Sequence, residues 1–128
     1  MNLEKVIFGF FVMLAATLNF GFFVGDISNP HLHNPGELYT ALVVNVVALV
    51  LKFGDRTQMG AIHLATSLVA VLQLAVSAAV YVYATQWVAE GLTPDLIATV
   101  VSLSGGALLA NLVSVTLLVV ETASFQRR

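Results

Sequence analysis

Charge is missing from four long stretches of this chain, and that constrains its fold more than any motif does. No Asp, Glu, Lys or Arg occurs from Val6 to Val24, from Leu38 to Leu51, from Ala61 to Ala89 or from Leu96 to Val120. A bilayer core of about 30 Å needs about 20 mostly apolar residues per helix. The expectation is therefore an all-α polytopic membrane protein, a four-transmembrane-helix bundle forming one integral domain over residues 1–128. Its spans are expected near residues 6–25, 35–53, 60–88 and 95–120. Composition agrees, since 59% of the residues are hydrophobic and 9% are charged, against about 25% charged in soluble domains.

The breaks between spans carry local signals. Asn34-Pro35-Gly36-Glu37 reads as an N-cap, a proline at the first helical position and a capping Glu three residues on. Lys52 to Gly60 is a short polar loop with two glycines, and Thr93-Pro94-Asp95 repeats the cap-then-proline pattern. The first run is long for a signal peptide, and Phe22 and Phe23 crowd the place where a small-x-small cleavage site would stand. It is read as a retained span.

Lys5, Lys52, Arg56, Arg127 and Arg128 all fall on one side of a four-span arrangement, facing three carboxylates there. Asp26, Glu37, Glu90 and Asp95 fall on the other side with no cation. The positive-inside bias predicts both termini in the cytoplasm, with residues 26–34 and 90–95 outside. Tyr39, Tyr83 and Trp87 then lie at the outer boundary, where an aromatic belt belongs.

Several function classes fit poorly. Ion-coupled carriers need an ionisable group within the membrane, and no span holds an Asp, Glu, Lys or Arg away from its ends. The absence of cysteine excludes disulfides, Fe–S clusters and thiol chemistry. A net charge of −2 argues against a nucleic-acid partner. No Ser/His/Asp set, phosphate loop or HExxH motif is present, so neither an enzyme nor a cofactor is expected. His31 and His33 are a weak metal pair in a polar loop, and His63 stands alone near the inner end of the third span.

The remaining polar groups are amides. Asn45, Gln73 and Asn111 lie close to mid-span and Asn19 somewhat toward the outer side, and the first three are expected to hydrogen-bond to one another. Small residues form ridges at intervals of four: Gly21 and Gly25 end one on the first helix, and Ser102, Gly106, Ala110 and Ser114 form one on the fourth. Both ridges point more than about 100° from the amide faces, at 100° per residue. They are expected to serve as helix–helix interfaces beyond the bundle.

The segments Met1–Phe11, Lys52–Gln58 and Ser102–Ala107 together resemble a family of small bacterial inner-membrane proteins of unknown function. The resemblance spans essentially the whole chain and implies no catalytic or binding residue. It implies company with potassium-channel-type proteins. The expected role is a binding or accessory subunit in a homo- or hetero-oligomer, associated with a cation (potassium-type) channel or transporter. The alternative is a homo-oligomeric channel or transporter lined by the amide stripes.

Overall fold

The computed structural model describes residues 3–126, with side chains through Ser124; Arg127 and Arg128 of the basic tail lie outside the described residues. Helix α1 is Leu3–Phe23, α2 Pro35–Lys52, α3 Gln58–Gln86 and α4 Pro94–Gln126, and no strand occurs among the described residues. Each of the four is long and apolar enough to cross a membrane.

Local chemistry sets the helix ends. The Asn34 side chain accepts from the Gly36 N–H at 2.8 Å, and Thr57 Oγ1 accepts from the Gly60 N–H at 3.0 Å. Thr93 caps α4 in the same way through the Leu96 N–H at 3.3 Å. Each cap satisfies a backbone donor that the first turn leaves without an intrahelical partner. The expected reciprocal half of the α2 capping box does not form, because Glu37 instead lays its carboxylate against Gly21 of α1. Helix α1 stops at Phe23, and Gly25 beyond it takes φ +111°, a left-handed turn that a side chain would strain. A three-residue 3-10 turn, Pro30–Leu32, lies between α1 and α2.

The helices run up, down, up and down in a closed ring: α1 packs on α2 and α4, and α3 packs on α2 and α4. The Phe8–His63 ring contact and the His63–Ser114 hydrogen bond set a common level at one end. From that level α3 continues to Gln86 but α1 only to Phe23. At 1.5 Å per residue the α3–α4 hairpin overhangs α1 by roughly 10 Å, carrying exposed Tyr83 and Trp87.

The surface is inside-out relative to a soluble protein. Val50, Leu72 and Leu109 are each 65% exposed. Asn19, Asn45, His63, Ser67, Ser77, Ser104 and Asn111 are buried. Apolar side chains outward and amides inward are what hydrocarbon solvent selects. The chain is built as a multi-pass membrane protein.

Candidate functional site: the polar interior and the Gln73 groove

The interior divides into three layers. At the His63 end, a cluster draws on all four helices. Lys52 is only 7% exposed; its Nζ lies 4.4 Å from the centroid of the Phe8 ring and 3.6 Å from Asp55 Oδ2. Phe8 also meets His63 edge-on at 5.0 Å. His63 Nδ1 and Ser114 Oγ are 2.8 Å apart, and its buried Nε2 has no hydrogen-bond partner among the described residues. Lys5 Nζ pairs with Glu121 Oε2 at 2.9 Å, tying α1 to α4. Asp55 accepts from both the N–H and the Oγ1 of Thr57, and these bonds hold its carboxyl below the ordinary carboxylate range. Its carboxylate packs where Gly60 leaves room.

The middle layer holds the amides, and here the structure corrects the expectation of mutual bonding. Asn45 Nδ2 donates to the Ala41 carbonyl of its own helix at 2.8 Å. The amide of Gln73 lies on Gly106. Asn111 Nδ2 and both polar atoms of Asn19 are buried without a partner among the described residues. Similar depth does not bond the amides to one another: Asn45 turns back to its own helix, and Gln73 lies on α4.

The third layer lies under the loop after α1. His33, expected to be solvated, is 2% exposed. Its Nδ1 is 2.5 Å from the Phe22 carbonyl oxygen and its Nε2 is 2.8 Å from that of Asp26, so the ring closes the C-terminal end of α1. With a carbonyl before each nitrogen, His33 directs no lone pair toward solvent, while His31 is exposed on the 3-10 turn. The pair does not converge, and the described residues contain no group of three His, Cys, Asp or Glu able to hold a metal. Asp26 takes two hydrogen bonds from Ser28, which lower its pKa.

The small ridges serve the bundle itself. Gly106 accommodates Gln73, Ala110 is buried, and Ser114 reaches His63, so this ridge faces α3. Gly21 accommodates Glu37 of α2, and Gly25 belongs to the turn. In a closed ring every helix meets two neighbours and therefore needs two contact faces. That accounts for the wide angle between ridge and amide within one chain. On the α4 ridge Ser102 is exposed. It lines an outward groove between α3 and α4 with Gln73, Ala98, Thr99, Leu103 and Gly106.

A family profile matches residues 32–122, most of the chain, and covers α2, α3 and nearly all of α4. The chain belongs to the DUF6394 family, a family of unknown function. No curated protein and no solved structure matches it. The matched segment contains Asn45, His63, Gln73, Gly106 and Asn111, whereas Phe8 and Asn19 precede it.

Sequence reasoning missed the burial of His33 and the contact of Phe8 with both Lys52 and His63. The signals were there: α1 ends with orphan carbonyls that need a donor, and Phe8 and Phe22 begin and end its buried stripe.

Proposed function

We propose that this chain is a non-enzymatic accessory subunit of a bacterial inner-membrane assembly. Both termini face the cytoplasm in this reading, and association with a second copy or a larger membrane protein runs through the α3–α4 groove. The observation that carries it is Gln73. Its amide sits mid-span on an outward groove against Gly106, with no hydrogen bond among the described residues. An amide facing hydrocarbon lowers its energy by meeting a partner helix, and the small residues beside it allow close approach. The Lys/Arg bias supports the orientation. The family resemblance makes a potassium-type cation channel or transporter the partner to test first.

Purification in mild detergent from the native host should bring down a stoichiometric membrane partner or a defined homo-oligomer, and Gln73→Leu should weaken it. Recovery of a lone monomer, unchanged by Gln73→Leu, overturns the reading. Cysteines placed at Ser28 and Glu90 should label from outside in intact cells; labelling only after permeabilisation overturns the orientation.

A second reading, a channel or transporter, draws on the buried polar interior. It requires ion flux by the purified chain alone in proteoliposomes, which the subunit reading does not.

A further inference from the structure

The buried stripe of α1 runs Phe8, Val12, Ala15, Asn19, Phe22, at steps of four and three. It is bulky at both ends and small or polar in the middle. The other helices repeat the pattern at that depth, with Asn45, Ala70, Ala107 and Asn111 all buried. A phenylalanine closes each end of this layer, and each meets a histidine ring: Phe8 with His63 at 5.0 Å, Phe22 with His33 at 5.6 Å.

Inside the layer, polar atoms go unanswered. Asn19 is fully buried, and neither its Nδ2 nor its Oδ1 has a partner among the described residues; Asn111 Nδ2 has none either. The two residues lie near one level. Gly9 approaches Leu118, and Phe23 approaches Gly105, which together fix how α1 runs beside α4. Interpolating between those contacts puts Asn19 opposite about residue 109, roughly 3 Å along the axis from Asn111.

Buried polar atoms in native proteins are satisfied by the chain, by water or by a ligand. The chain does not satisfy these. A metal cation would need several converging oxygens, and the free donor on Asn111 would oppose it. A free acceptor and free donors near one level, in a layer without charge, fit a small neutral molecule that both donates and accepts. A water also needs two or more polar partners, and these amides supply them.

We propose that the core between Phe8 and Phe22 is an enclosed hydration site, in which water bridges the carboxamides of Asn19 and Asn111. The site lies inside one chain and does not depend on what occupies the Gln73 groove.

The test uses the full chain, isotopically labelled, in nanodiscs of deuterated lipid, with magnetisation transfer from water to amide protons read by NMR. Transfer to the side-chain amides of Asn19 and Asn111 is expected, with none to the lipid-facing backbone amide of Leu72. Two resolved side-chain amides that receive no transfer overturn the proposal. Asn19→Leu provides an independent reading. Where water already satisfies the amide, Tm should change little and transfer to Asn111 should fall at least several-fold. A dry orphan amide behaves oppositely, and a rise in Tm beyond about 5 °C overturns the proposal. Proteoliposomes should shrink osmotically at the rate of bare lipid, since Phe8 and Phe22 close the ends. Faster shrinkage means an open path and overturns the enclosed site. These outcomes are independent of whether any partner co-purifies.

Discussion

The carboxamide of Gln73 rests against the bare Cα of Gly106, and a Cβ on that glycine would collide with it. One residue earlier, Gly105 faces the ring edge of Phe23, whose Cε1 would stand 2.7 Å from an added Cβ. The two adjacent glycines thus admit side chains from different helices, α3 and α1, and hold α4 close to both. The neighbours differ in compliance, however. A glutamine amide is the far end of a flexible chain, whereas an aromatic ring packed at the end of α1 has few alternative rotamers.

That difference gives a rank order. Gly105→Ala should destabilise the bundle by about 1–2 kcal/mol, the usual cost of overpacking against a rigid neighbour. Gly106→Ala should cost less than about 1 kcal/mol, because Gln73 can swing outward into the groove. Reversible unfolding in mixed micelles checks both. Equal costs, or the reverse order, would show that Gln73 is as firmly held as Phe23.

Asn45 makes its hydrogen bond to Ala41 on its own helix, so removing it orphans no amide elsewhere. Asn45→Leu should therefore cost less than about 1 kcal/mol. In double-mutant cycles, Asn45 with Gln73 and Asn45 with Asn111 should each show coupling below about 0.5 kcal/mol. Coupling above about 1 kcal/mol in either cycle would restore the bonded triad that mid-span depth alone suggests.

What the sequence discloses divides by range of interaction. Helix starts at Pro35 and Pro94 follow from Asn34 and Thr93, whose capping bonds reach only two or three residues, whereas α3 starts at Gln58, two residues before its expected span, on the Thr57 cap. The four apolar runs follow from solvent chemistry and need no knowledge of packing. Helix rotation is different. Whether Asn45 meets another amide or its own backbone depends on how α2 turns within the ring. His33 is eleven residues from the carbonyl it meets on Phe22, and its approach depends on the path of the whole loop. Glu37 looked like a capping partner, yet Gly21 offered its side chain a groove on the next helix. The ridges were visible as ridges, but which neighbour each meets, Gln73 and His63 of α3 or Glu37 of α2, depends on the packing of the whole ring.

Acid should test the loop carboxylates. Asp55 is held below the ordinary carboxylate value chiefly by its Thr57 hydrogen bonds, and Asp26 by those of Ser28. A carboxyl whose folded pKa is depressed adds stability above its unfolded value, and that stability is lost as pH falls through the folded value. Stability should therefore decline below about pH 4, the unperturbed carboxylate range. Asp55→Asn should flatten part of that decline while costing only a few tenths of a kcal/mol at neutral pH, because Asp55 remains partly exposed. Unfolding measured in steps from pH 3 to pH 5 decides it; an unchanged slope in Asp55→Asn places the acid sensitivity elsewhere.

His33 gives the sharpest contrast with its neighbour. The last turn of α1 leaves carbonyls that no later helical N–H can reach. Val24 donates back to Phe20, and the His33 ring lies on the Phe22 carbonyl and, across the loop, on that of Asp26. The same ring stacks at a tilt on Phe22, so it covers the end of the buried α1 stripe as well as its backbone. His33→Ala should remove both contacts and leave the Phe22 carbonyl in a poorly hydrated place, costing about 1–3 kcal/mol. His33→Asn, with a shorter side chain and one amide, should recover part of that loss. His31→Ala, two residues away on the exposed face of the 3-10 turn, should change stability by less than about 0.5 kcal/mol. Hydrogen exchange localises the effect: amides of residues 24–34 should exchange faster in His33→Ala, and those of α3 should not. Zinc should leave the Tm of the parent protein unchanged, because both ring nitrogens of His33 face backbone carbonyls inside the loop rather than solvent. Equal effects from the two histidines, or a zinc-dependent rise in Tm that His33→Ala abolishes, would mean that the ring faces solvent and that the end of α1 is closed by something else.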